Sequence, residues 1–231
     1  MHATNITQYL APGRFIDSDH PQVIAYAKQH VGDLRDVRAA VLRLYATVRD
    51  GIIYDPYVDL SDPANYRASG VLAAARGFCI GKSCLLAACA RVIGVPSRVG
   101  YADVRNHLTS RRLYELAKTD TFIWHSYTEL YLSGRWVKAT PAFDAALCER
   151  ANIKPLDFDG RADSLFQPFD PAGRRHMEYL RDRGTFADVP FDVIQAEFVV
   201  TYPSWMSSHG LAGDFHAEAV AEVLSVQRTG K

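Results

Sequence analysis

The chain has 231 residues, of which 48% are hydrophobic and 23% charged, and its 26 basic side chains balance 26 acidic ones. That is the composition of an ordinary globular protein long enough to bury a sizeable core. With no net charge, no basic run and no aromatic-basic stripe, nothing recruits nucleic acid or an anionic membrane through bulk field.

No stretch approaches the roughly 20 apolar residues of a membrane-crossing helix. Met1 to Gly13 lacks the basic and apolar regions of a secretory signal. The four cysteines are Cys79, Cys84, Cys89 and Cys148. Three lie five apart on one predicted helix, so successive ones are rotated by about 140°. That is neither zinc-ligand spacing nor a disulfide framework. Free thiols in a reducing cytoplasm are expected, with no metal and no cofactor.

In chain order, Asp19-His20-Pro21 predicts a helix start, with Val23, Ala27 and Val31 on one face. A second helix is predicted after Asp33, carrying Leu34, Val37, Val41, Leu44 and Val48 and stopping at Asp50-Gly51. Residues 52–60 read as an irregular connection and 61–69 as loop.

The stretch from Ala75 to Tyr101 reads as a turn, a helix beginning near Cys79, a stop at Gly94-Val95-Pro96 and a strand over 97–104. Leu85, Leu86, Ala88, Cys89, Val92 and Ile93 form a wide apolar stripe on that helix. Free N–H groups and the positive dipole end favour a thiolate at Cys79. Residues 111–118 suggest a short helix.

Thr121 to Leu132 is rich in aromatic and β-branched residues, and Ser133-Gly134 then Arg135 to Pro141 follow. This predicts a hairpin with a two-residue turn. Leu132 then pairs with Arg135, Tyr131 with Trp136 and Glu129 with Lys138, the last two being favourable cross-strand pairs. Alternation puts His125, Tyr127, Glu129, Trp136, Lys138 and Thr140 on one face. Residues 144–190 are expected to wrap the core as ordered loop, and 192–202 and 214–226 to be helices.

A cysteine at a helix start, a histidine on a strand and a polar residue across a hairpin suit nucleophilic acyl chemistry. A thiolate attacks, an imidazole holds and returns the proton, and a third group fixes the tautomer. Gly77-Phe78-Cys79 through Gly94-Val95-Pro96-Ser97-Arg98 resembles the cysteine motif of the transglutaminase-like superfamily. His125 to Leu132 with Gly134-Arg135-Trp136-Val137-Lys138 resembles its histidine motif. The resemblance is strong over 75–143 and weak after Asp144. It implies an α+β, papain-like core over about 40–144, with the cysteine helix packed on an antiparallel sheet. Extra N- and C-terminal helices, including an extension over 145–231, complete a single domain over 1–231.

The family usually places an aspartate after the tryptophan strand, and here Thr140 stands at that position. Thr140 orienting the imidazole, Asp144 swinging in past Pro141, or a lost activity are the alternatives. The candidate catalytic residues are thus Cys79, His125, Thr140 and Asp144. Phe78, Trp124 and His107 are candidates for substrate binding. The resemblance implies thiol-dependent hydrolysis or transfer at an amide of a peptide or small molecule, through a Cys79 acyl-enzyme. The rivals are a non-catalytic binding or scaffold protein of the same fold, and acyl transfer from a thioester donor, resembling arylamine acetyltransferases.

Overall fold

The computed structural model describes residues 6–107, 109–166, 169, 173 and 176–219. Helices α1 (Pro21–Val31), α2 (Val37–Gly51) and α3 (Ala68–Ala74) precede the central α4 (Cys79–Val92). The short helices α5 (Arg111–Ala117), α6 (Ala145–Arg150) and α8 (Pro203–Met206), with α7 (Phe191–Thr201), complete the set. Strands β1 (Ile53–Tyr54) and β2 (Arg76–Gly77) form a two-residue parallel pair leading into α4. Strands β3 (Ser97–Asn106), β4 (Thr121–Leu132), β5 (Arg135–Ala139) and β6 (Met177–Phe186) form a second sheet, in the order β5-β4-β3-β6, with every neighbour antiparallel. The architecture is α+β, with the cysteine-bearing helix on an antiparallel sheet. No helix among the described residues is long and apolar enough to cross a membrane.

Local chemistry explains the element boundaries. The Asp36 side chain accepts from Ala39 N and starts α2 there, which leaves Leu34 outside the helix and 38% exposed. Gly94 takes a φ of 78°, the left-handed conformation that ends α4. Ser133 and Gly134 both have positive φ, as a twist-matched two-residue hairpin turn needs.

The hairpin register is the expected one, with Leu132 opposite Arg135, Tyr131 opposite Trp136 and Glu129 opposite Lys138. The third pair is not an ion pair, however. Glu129 carboxylate accepts from Arg98 Nε at 2.6 Å, and Lys138 Nζ sits 4.8 Å from the centre of the Tyr127 ring. Arg98 is opposite Glu129 on β3 and out-competes the lysine by a buried charge-assisted bond.

Several elements lay beyond the sequence reading, among them α6 inside the stretch expected to be loop. Helix α3 occupies the run just before the cysteine turn. Strand β6 pairs along β3 from Asn106 to Val99, inside the stretch expected to be loop. Its half-exposed, charge-rich pattern hides the period-2 signal of a strand. Of the helix expected over 214–226, residues 215–219 are helical and 220–226 lie outside the described residues.

Helix α4 is not a stripe against one partner. Every residue from Cys79 to Arg91 is buried, because α1, α2 and α3 pack on one side and β3 and β4 on the other. A helix buried all round must satisfy its polar groups internally. Thr128 on β4 donates from its hydroxyl to Ser83 O at 2.8 Å. Lys82 Nζ donates to Arg49 O and Ile52 O, capping the free carbonyls at the end of α2. Arg91 donates to the carbonyls of Ala11, Ser97 and Ala187, tying three remote segments to one side chain.

Arg91→Met keeps the apolar stem but strands those carbonyls, so it is expected to lower unfolding stability by roughly 2–4 kcal/mol. Urea unfolding checks this, with the exposed Arg43→Met as a control expected to stay within about 0.5 kcal/mol of wild type.

Candidate active site

Phe78 caps the start of α4 in extended conformation, so Cys79 opens the helix. The backbone N–H groups of Ser126 and Ile80 point at the Cys79 sulfur. The helix start is thereby set against β4 one residue beyond His125.

A bulge in β4 positions that histidine. Ala102 pairs with His125 and Val104 with Phe122, so Ile123 and Trp124 together oppose Asp103. Trp124 carries the extra turn at a φ of 60°, a left-handed conformation that costs a tryptophan on the order of 1 kcal/mol. Asp103 holds it there by accepting from Trp124 N at 3.1 Å, while its carboxylate is paired with Arg183. Arg183 in turn lies 4.6 Å from the Trp124 ring centre. The bulge changes which face the strand presents before and after Trp124.

Cys79, His125, Phe78 and Trp124 line one cleft, which encloses about 680 Å³ including its open mouth. Apart from Asn106, its other walls are aromatic and aliphatic and come from remote parts of the chain, among them Tyr54, Phe122, Phe143, Met177, Phe198 and Trp205. The segment over 211–219 lies along one side. Phe215 stacks 5.7 Å from Tyr54 and 5.9 Å from Tyr57, and Arg112 pairs with Glu218 at 2.7 Å. None of these C-terminal residues was singled out from the sequence, since aromatic residues in an apolar helix read equally as core.

Thr140, Asp144 and His107 are not brought to this cleft. The Thr140 hydroxyl is buried and makes no hydrogen bond among the described residues, His125 included. Its backbone is engaged instead, N–H to Ser164 O and C=O from the Tyr45 hydroxyl. Asp144 caps α6 through Leu147 N and accepts from Tyr54 N at 3.0 Å, with the His216 ring nitrogen 3.1 Å away. Its carboxylate is spent on backbone, the usual fate of an aspartate just before a helix. Asp144 therefore acts on the cleft at one remove, by anchoring Tyr54. His107 lies on the rim with its ring 3.3 Å from Glu178.

The electrostatics differ from the sequence expectation. Burial pushes the Cys79 thiol up to about 11, against the pull of the surrounding N–H groups. A helix start is worth about 1 kcal/mol to an anion. Raising a thiol that far disfavours the thiolate by roughly 3 kcal/mol, so burial wins. Burial also pulls His125 down to about 4, its ring lying 5.6 Å from Phe166 and 6.4 Å from Tyr179. Its Nε2 has no partner among the described residues. The resting pair is a neutral thiol and a neutral imidazole.

A cysteine at the first turn of a central helix, with a histidine on an adjoining antiparallel strand, is the arrangement of papain-like folds. Residues 24–141, half of the chain, match the sequence model of the transglutaminase-like superfamily, and the protein belongs to that family. No curated protein matches it. A presumed cysteine protease from Cytophaga hutchinsonii is similar in structure, with a TM-score of 0.49, 20% identity, and cover of 80% of this chain and 48% of that one. A presumed protease from Parabacteroides distasonis is similar with a TM-score of 0.38, 15% identity, and cover of 52% and 23%. The chain thus spans about half the length of the first.

Alkylation of Cys79 by iodoacetamide, read site by site by mass spectrometry, is expected to rise steeply only above about pH 9, following a thiol that titrates near 11. A rise centred below 8 would show an activated thiolate instead. Thr140→Val, which deletes a hydroxyl bonded to nothing, is expected to leave stability equal or higher by up to about 1 kcal/mol in urea unfolding.

The unfolded chain protonates His125 near 6.5 and the folded chain near 4, so between those values the unfolded state binds the extra proton. Stability from this residue is complete above pH 6.5 and falls as pH drops toward 4. His125→Gln is expected to flatten that part of the stability–pH curve relative to wild type.

Proposed function

We propose that this protein catalyses thiol-dependent acyl transfer or hydrolysis at an amide bond, through a Cys79 acyl-enzyme with His125 as base and then acid. The observation that carries this reading is the meeting of Cys79 and His125 in one water-poor cleft, with a buried imidazole nitrogen left unpartnered. A buried polar atom without a partner is costly, and such atoms are retained where chemistry uses them.

His125 takes the thiol proton as the sulfur forms its bond to the acyl carbon. Because both groups start neutral, proton removal accompanies attack and no resting ion pair precedes it. The developing oxyanion is met by the Cys79 N–H at the helix start. The carbon–nitrogen bond then breaks, the amine leaves with the proton held by His125, and the acyl group stays on sulfur. Water, deprotonated by the same imidazole, releases the acid and restores the thiol. Hydrolysis is the favoured outcome, since nothing in the sequence marks an amine-acceptor site.

A second reading has its own support. No carboxylate reaches His125 among the described residues, and the Thr140 hydroxyl makes no hydrogen bond among them. A family member that has lost its acid can persist as a binding protein that uses the same cleft.

Incubation with simple thioesters and intact-mass analysis tests between the two. The catalytic reading expects one acyl group per chain, located on Cys79 and absent from Cys79→Ala. His125→Ala is expected to slow acylation by about 10²–10⁴-fold. Absence of any adduct on wild type would leave the binding reading.

A further inference from the structure

We infer that the cleft selects an uncharged acyl group whose side chain is aromatic, with Trp205, Phe198 and Phe122 forming its subsite. This rests on the thiol reading above and adds the substrate class to it.

The chemistry of the walls is one-sided. Among the described residues lining the cleft no lysine, arginine, aspartate or glutamate occurs, and His125 is held neutral by burial. Charges on neighbouring elements are paired: Arg183 with Asp103 and Glu197, Arg112 with Glu218, and Asp55 with Arg76. An ammonium or carboxylate entering such a space would lose its hydration and find no counter-charge, which costs several kcal/mol. An aromatic ring gains from the same walls by area and by edge-to-face packing.

The walls are built as rings presenting faces and edges. Trp205 meets Phe122 edge-on at 6.5 Å and Tyr202 at 5.6 Å, while Phe198 meets Tyr202 at 5.5 Å. Tyr202 offers its ring and not its hydroxyl, because that oxygen accepts from Ile123 N and donates to Thr121 O. Phe215 of the C-terminal segment adds a further ring to the lining, 5.7 Å from that of Tyr54.

S-methyl thioesters share one small leaving group, so the acyl part alone varies. Wild type is mixed with those of acetate, 3-phenylpropanoate, adipate and 6-aminohexanoate, and the rate of Cys79 acylation is followed by intact mass. The 3-phenylpropanoyl group is expected to transfer roughly tenfold or more faster than acetyl, as burial of one ring implies. The adipoyl and 6-aminohexanoyl groups are expected to transfer more slowly than acetyl. Trp205→Ala should collapse the phenylpropanoyl-to-acetyl ratio, and Trp205→Phe should restore part of it. Equal rates across the panel, or faster transfer of a charged chain, overturn the inference while leaving the thiol reading in place. No acylation by any of the four overturns the thiol reading itself, and the inference with it.

Discussion

Burial of α4 on every side is the constraint from which the rest of the structure follows. A helix with no solvent face cannot leave a lysine, an arginine or its own first-turn N–H groups to water. Lys82 therefore caps α2, and Arg91 gathers the carbonyls of Ala11, Ser97 and Ala187. The later elements are drawn onto the same core: Asp188, next to one of those carbonyls, accepts from Phe15 N and Ile16 N and ties the segment before α1 to the one before α7. The one end of α4 that reaches a cleft is the end that carries Cys79.

That placement has an electrostatic consequence. The features usually invoked to activate a thiol, a helix start and a nearby histidine, are both present, yet burial of the two groups disfavours either charge. Neutral thiol and neutral imidazole are the stable resting forms. A carboxylate behind the histidine would change this balance by stabilising the imidazolium. At the position where the family usually has one, this chain has a threonine whose hydroxyl bonds to nothing. In the proposed reaction the charge then arises during attack, inside walls that carry no charged side chain among the described residues.

Much of this could be read in the order of residues because it rests on short-range rules. Helical spacing and the Gly94-Val95-Pro96 stop marked α4. The Ser133-Gly134 turn set the register of the hairpin, since both turn residues must adopt positive φ and nothing else pairs Tyr131 with Trp136. The cysteine and histidine motifs carried the family. Strand β6 was missed because its residues are half exposed and charged, so its strand character comes from pairing with β3 and not from its own pattern.

The sequence by itself determined the central helix, the hairpin, and the pairing of a cysteine with a histidine. These depend on backbone propensities and side-chain periods that act over a few residues. Only the tertiary structure decided the state of those groups and the company they keep. It assigned Asp144 to a helix cap, took the Glu129 carboxylate for Arg98 and placed a bulge before His125. It also brought aromatic rings from beyond residue 190 around the thiol. Burial and competition among partners distant in sequence are properties of the folded whole, and no local pattern encodes them.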